Sequence, residues 1–311
     1  HVLLPKLIEN NKDLVGIDLF FMGQPRIFPN DRTHSTLLVD DVKKTDWIRL
    51  FKRYNVTNVV HLAGLSNDPT CELDPKLTQS INIDASKRLI DYCIDYGIKK
   101  FVFASSASVY GHNPEFVDER TRVNPQSLYA ESKVLVEDYL NQKLTMNFMP
   151  VILRFGTLYG LSPKMRFDLA INVMTRDAIT KSKITVSGGS QFRPFLSVNN
   201  ASNAILKALE YRGCLLANVA EFNTSILNLA EYIQSKFPFS VEMDIQPESL
   251  DNRDYKMRTE VMNKTLGLKL NDHSLEIPIM ASWIKDNLSK LDNIEFYTIN
   301  AWKKFLTGGV F

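Results

Sequence analysis

Residues 101–111 read FVFASSASVYG, and residues 127–133 read SLYAESK. The first is an apolar run that ends in serines, the pattern of a buried strand over Lys100–Ser105 running into a turn. The second opens a helix over Ser127–Asn147. Tyr129 and Lys133 stand four residues apart there, so both side chains project from one face. A cation beside a phenol favours the phenolate and draws its pKa down from the reference of about 10. That suits Tyr129 to general acid/base work, with Ser106, just past the strand end, able to hydrogen-bond the same oxygen. A lone YxxxK says little, because surface helices often pair Tyr and Lys in this way. Its context here gives it weight: the motif starts a helix and follows a serine-rich strand end by 23 residues.

Working outward, β-branched runs alternate with helical patterns. Strands are expected at Leu14–Asp18, Thr36–Val39, Asn58–Leu62, Lys100–Ser105 and Pro150–Arg154. Helices are expected at Thr45–Tyr54 and at Lys76–Tyr96, the latter capped by Gly97. This is the signature of an α/β, Rossmann-type doubly wound parallel sheet, whose strands end along one ligand-binding edge. After Arg154 the alternation breaks down. YGLSPKMRF, SGGSQFRPF and QPESLDNRDY read as loops, between helices at Arg166–Thr180, Asn199–Tyr211, Thr224–Lys236 and Ser274–Leu288. The expected organisation is a dinucleotide-binding domain over 1–160, to which 194–214 return. A smaller, mixed substrate domain takes 161–193 and 215–290, and an apolar, aromatic tail, 291–311, packs on its own chain or a partner.

The chain starts with an amphipathic helix, HVLLPKLIENN, running into a strand. A dinucleotide fold opens on a strand and a Gly-rich turn, and these are expected to stand before His1. With that placement Asp18 falls about 20 residues beyond the turn, the usual position of a carboxylate for the adenosine ribose.

Composition narrows the function classes. Lys and Arg number 37 against 35 Asp and Glu, a net charge of +2 that supplies no broad field for nucleic acid or membrane. Cys71, Cys93 and Cys214 form neither a disulfide framework nor a CxxC site, which points to the cytoplasm. The five histidines make no zinc-type pairs with each other or with cysteine, so no metal site is expected. His61, flanked by apolar residues at a strand end, reads as a packed, hydrogen-bonded histidine. No apolar run reaches the length of a membrane span.

These segments resemble the extended short-chain dehydrogenase/reductases, the family of nucleotide-sugar epimerases, dehydratases and reductases. NVVHLAGLSNDP, INIDASKRLI, LRFGTLYG and GSQFRPFLSV extend the resemblance over nearly the whole chain. It implies Ser106, Tyr129 and Lys133 as catalytic residues with NAD as cofactor. Asp18 would bind the adenosine ribose, Asp41 and Val42 would edge the adenine, and Leu62, Ala63 and Asn82 would line the cofactor pocket beside Tyr129 and Lys133. A carboxylate at Asp18 repels a 2′-phosphate, favouring NAD over NADP.

By the same resemblance, sugar 4,6-dehydratases carry Asp-Glu at the two positions after the catalytic hydroxyl. Here those positions are Ala107 and Ser108, which argues against dehydration. The expected function is an NAD-dependent nucleotide-sugar 4-epimerase or 4-oxidoreductase. The alternatives are a 4-keto reductase and a catalytically silent relative. Substrate contacts are expected from Ser108, Thr157, Arg166, Arg193 and Arg253, since arginine forks suit a diphosphate. The resemblance also implies a homodimer through a four-helix seam.

Overall fold

Alternating β-branched runs and capped amphipathic helices set the order of elements in the first half of the chain. It runs α1 (Leu3–Glu9), β1 (Leu14–Asp18), β2 (Ser35–Val39), α2 (Trp47–Tyr54), β3 (Asn58–His61), α3 (Asp68–Leu73) and α4 (Pro75–Thr78). There follow α5 (Ser86–Tyr96), β4 (Lys100–Ser106), β5 (His112–Val117), α6 (Leu128–Gln142) and β6 (Met149–Phe155). The second half begins with β7 (Thr157–Tyr159), α7 (Ala170–Lys181), β8 (Lys183–Ser187), β9 (Phe192–Ser197), α8 (Val198–Glu210) and β10 (Leu215–Val219). It ends with β11 (Phe222–Ser225), α9 (Ile226–Gln234), β12 (Glu242–Gln246), β13 (Asp254–Met257), α10 (Glu276–Asp286) and α11 (Thr298–Leu306). This computed structural model describes residues 1–10, 12–22, 35–247, 253–268, 270 and 276–308.

Strands β10, β6, β4 and β3 hydrogen-bond in that order, all parallel, and β1 pairs with β2 in parallel. Side-chain alternation on β4 explains why helices cover both faces of the four-stranded sheet. Val102 packs with Val151 and Leu153 against Ala201, Ala204 and Ile205 of α8 and Leu3 of α1. Phe101 and Phe103 point the other way, onto Leu89, Ile90 and Cys93 of α5 and Val136 and Leu140 of α6. Each valine, leucine, isoleucine or phenylalanine among them, fully buried, contributes roughly 1.5–3 kcal/mol. A third cluster joins Ile184 and Val186 of β8 with Ile171 of α7, Ile233 of α9 and Ile284 of α10.

Several expected elements shift, each for a local reason. The helix expected from Thr45 starts at Trp47, because the Asp46 side chain caps it by accepting from Arg49 N–H. That expected from Thr224 starts at Ile226 behind the Ser225 cap, and 222–225 form β11 instead. The Arg166–Thr180 helix begins only at Ala170, because Arg166 turns back to pair with Asp168. SGGSQFRPF is not all loop: Phe192–Ser197 is β9, paired with β7 and β11. Half of QPESLDNRDY, residues 248–252, and the expected start at Ser274 lie outside the described residues, while Asp254 and Tyr255 of that expected loop belong to β13.

The segment expected as one helix over Lys76–Tyr96 is helical throughout but widens to a π-helix over Gln79–Ala85, then ends at Gly97 in the left-handed region. Such wide turns recur at functional sites. This one carries Asn82.

Candidate active site

Parallel strands share a direction, so residues just past their carboxyl ends emerge along one edge. Phe103 of β4 lies level with His61 of β3, and Ser106 lies level with Phe155 of β6. Leu62 and Ala63 after β3, Ser106 at the end of β4 and Thr157 at the start of β7 therefore share that edge. Ser106 caps the turn Ala107–Tyr110, and its oxygen accepts from Ser108 Oγ at 2.9 Å and Ser108 N–H at 3.2 Å. Tyr129 lies in the first turn of α6, behind the Ser127 cap.

The catalytic candidates do come together. A side-chain hydrogen bond links Ser106 and Tyr129, and Lys133 Nζ sits 5.6 Å from the Tyr129 ring centroid and 4.9 Å from that of Phe103. The electrostatics differ from the sequence expectation. Burial pushes the Tyr129 phenol up to about 12, against the smaller downward pull of the Ser106 hydrogen bond. The ammonium lies against the ring and makes its hydrogen bond to the Ala104 carbonyl at 2.8 Å, not to the phenolic oxygen. Burial also lowers Lys133 to about 8.

Asn82 is buried, and its amide is committed to the protein. Its Oδ1 accepts from Leu65 N–H at 2.8 Å, while Nδ2 donates to the Leu65 carbonyl at 3.1 Å and to Ser132 Oγ at 3.2 Å. It thus ties the turn after β3 to α6. Gly64 permits this approach: it holds φ +155°, and a Cβ there would meet Asn82 Oδ1 at 3.0 Å. Asn82→Ala is expected to orphan the Leu65 N–H, at roughly 1–3 kcal/mol, and to leave the Leu65 carbonyl with only the weak Cys71 thiol donor at 3.7 Å. A denaturant midpoint equal to that of the parent would contradict this.

His61 is buried against Phe101 and Phe103 with Nε2 2.8 Å from Ser86 Oγ. The Ser86 proton is used on the Asn82 carbonyl at 2.7 Å, so the imidazole must donate through Nε2–H. It is structural, as its sequence context implies.

Of the expected substrate residues, Arg166 and Arg253 converge on the loop after β3. Arg166 holds Asp168 through Nε at 3.0 Å and Nη2 at 2.8 Å, and reaches Ser66 Oγ through Nη1 at 3.2 Å. Arg253 pairs with Asp68 at 2.5 Å, and Asp68 also accepts from Ser127, the cap of α6. Arg193 is buried beneath them, donating to the Phe192 and Arg253 carbonyls with its guanidinium 5.4 Å from the Tyr255 ring centroid. Thr157 is half-buried and paired with Phe195. Asp18 is exposed and accepts from Phe20 N–H, while Asp41 closes its own turn by accepting from Lys43 N–H. Val42 packs between two hydrophobic clusters.

Two features escaped the sequence reading. Asn67 donates to Asp168, the partner of Arg166, and Asp68 pairs with Arg253; the string SNDP was legible as a helix start. Trp302 of α11 packs against Phe21, with ring centroids 4.4 Å apart, and joins Leu65 and Cys71 beside Tyr129. The tail therefore packs on its own chain, a contact with no local signal.

The described edge fits an adenine dinucleotide. An exposed carboxylate ends β1, the apolar Leu62 and Ala63 lie open at the end of β3, and Gly64 keeps the turn clear of a Cβ. Comparison with known proteins agrees. The family model for the NAD dependent epimerase/dehydratase family matches residues 1–215. The uncharacterized UDP-glucose epimerase YtcB of Bacillus subtilis is 35% identical over 223 residues, 67% of this chain and 68% of that protein. Among solved structures, the UDP-glucose 4-epimerase of Thermotoga maritima with UDP-glucose superposes with a TM-score of 0.81 at 20% identity, covering 92% of this chain and 95% of the other. The NAD-dependent NDP-hexosamine 5,6-dehydratase TunA, of tunicamycin biosynthesis, matches at 0.80 and 21% identity, covering 94% and 95%. Shared edge geometry, motif and family match lead to one conclusion: this chain belongs to the NAD dependent epimerase/dehydratase family.

Proposed function

We propose that the chain is an NAD-dependent nucleotide-sugar 4-epimerase or 4-oxidoreductase. The observation that carries this reading is the convergence of Ser106, Tyr129 and Lys133 at the carboxyl edge of the parallel sheet, with arginines around the neighbouring loop. NAD, when bound, supplies reversible hydride acceptance. Asp18 would hold its adenosine ribose, and Asp41 and Val42 would edge its adenine. Leu62, Ala63 and Asn82 would line the pocket, with Tyr129 and Lys133 at the reacting end.

The residues of the chain move the proton. Tyr129 Oη would take the proton of a sugar hydroxyl as the carbon-bound hydrogen leaves as hydride, then return it as hydride comes back on either face of the ketone. Ser106 orients the phenolic oxygen. The oxidising half needs the Lys133 ammonium to leave the Ala104 carbonyl and approach the phenol, a movement its flexible stem allows. Arg166, Arg193 and Arg253 would draw in the diphosphate, with Ser108 and Thr157 near the sugar. Ala107 and Ser108 offer no carboxylate beside Ser106, which supports epimerisation or redox chemistry over 4,6-dehydration.

The protonated phenol favours a second reading, 4-keto reduction, in which Tyr129 only delivers a proton. Incubation of UDP-, GDP- and dTDP-sugars with NAD separates these. An unchanged mass with a new sugar NMR spectrum means epimerisation, and a loss of two mass units means oxidation. A 4-keto sugar with NADH that gains two units means reduction. No change with any substrate would sink all three. Exposed Tyr92 on α5 and Leu135 on α6 support pairing of two copies through these helices, which light scattering would check.

A further inference from the structure

Behind the catalytic residues lies a set of buried polar side chains to which that reading gives no task. Glu137 and Arg154 are 3% and 4% exposed. Arg154 grips the carboxylate with Nε at 3.0 and 3.2 Å and Nη2 at 2.6 Å. Ser105 Oγ donates to the same carboxylate. Arg154 Nη1 donates to Tyr110 Oη at 2.9 Å, and that hydroxyl reaches Asn218 Oδ1 at 2.7 Å and the Asp118 carbonyl at 2.9 Å.

Position gives the pair its meaning. Glu137 lies one turn beyond Lys133 on α6. Ser105 immediately precedes Ser106, and Tyr110 closes the turn that follows it. One carboxylate therefore contacts the strand that carries the catalytic serine and shares a helix with the catalytic tyrosine and lysine. Stability alone is a poor reason for such a pair, since desolvation offsets much of its attraction and apolar residues of similar volume often serve as well.

We propose that Glu137 is a positioning residue: clamped by Arg154 and bonded to Ser105, it holds the Ser106 strand end against the Tyr129–Lys133 helix and sets a negative charge behind the Lys133 ammonium. This rests on the catalytic reading of Ser106, Tyr129 and Lys133. The groups around Lys133 are Tyr129 and Glu137 on its own helix, His61 on β3 and Cys71 on α3. Burial keeps His61 neutral and the Cys71 thiol protonated at neutral pH. Arg154 and Tyr110 face Glu137 from β6 and the 107–110 turn, with Glu119 acting on both. Glu137 acts to keep Lys133 charged against the opposing effect of burial.

Glu137→Gln keeps the shape and an acceptor for Ser105 but removes the charge. The double variant Glu137→Gln with Arg154→Met leaves no unpaired guanidinium behind, and carries the test if the single variant does not fold. Thermal melts followed by circular dichroism establish folding. Two readouts are then taken on the full-length protein: reductive methylation of Lys133 against pH, followed by peptide mass spectrometry without cofactor, and kcat against pH. Lys133 is expected to titrate about one pH unit lower in the single variant. A smaller drop is expected in the double variant, the alkaline limb of kcat should move in step in both, and KM should stay near the parental value. A folded double variant with both profiles at the parental pH would overturn the proposal. Failure of the catalytic reading looks different: Lys133 methylation shifts while Tyr129→Phe retains full turnover.

Discussion

Tyr129→Phe is expected to lower kcat by roughly 10²–10⁴-fold, the usual contribution of a positioned general acid/base. The loss should fall on kcat and leave KM for the nucleotide sugar close to that of the parent. Removing one hydroxyl leaves the ring packed beside Leu65, Cys71 and Trp302. The folded state should therefore keep its melting temperature within a few degrees, on the order of 1 kcal/mol of stability. Steady-state kinetics on the best substrate found by mass spectrometry provides the check. A variant that keeps its turnover within about tenfold would remove the phenol from the chemistry. The pH profile supplies a second constraint. If the Lys133 ammonium is required, activity falls as pH rises through about 8, because burial has brought the lysine down to that value.

The second large effect is on stability. Burial lowers His61 from 6.5 to about 3, so the folded protein keeps a neutral imidazole where the unfolded chain binds a proton. The stability from this group is complete above pH 6.5. It is lost as pH falls toward 3, at about 1.4 kcal/mol per pH unit and roughly 5 kcal/mol in total. Chemical denaturation of the parent and of His61→Gln, measured at several pH values between 6.5 and 3.5, isolates the term from the carboxylates common to both. The parent should lose stability more steeply. Parallel curves would show that His61 titrates normally in the fold. The effect matters for the site because His61 donates to Ser86, Ser86 donates to Asn82, and Asn82 fixes the turn after β3. Protonation at His61 strains the same chain of bonds that supports the dinucleotide edge.

Much of this protein was legible along the chain, because the information was local. The apolar run at 101–105 specifies a strand with large rings on one face, and Ser127 followed by a helical pattern specifies where α6 begins. The four-residue spacing of Tyr129 and Lys133 specifies a shared face. What the spacing could not specify was the direction of the ammonium. Lys133 has a partner in the Ala104 carbonyl, presented by a strand packed under the helix, and the burial that places it there lifts the phenol instead of lowering it. The arginines tell the same story. Their number and chemistry were readable, but Arg253 meets Asp68 and Arg166 reaches Ser66 only because the second half of the chain folds back over the loop after β3.

The strands after β6 were harder to read than those before it. Phe192–Ser197 carries a glycine pair upstream and a proline within, both turn signals, and becomes a strand because β7 and β11 flank it. Ser106, Tyr129, Lys133 and the sheet edge they share were thus determined by the sequence itself, through short-range periodicity and helix capping. The Glu137–Arg154 clamp, the neutral His61 and the seating of Trp302 beside Tyr129 were decided only by the tertiary structure. The reason is physical: charge burial and long-range pairing depend on which surfaces the topology brings together, and no local pattern encodes that.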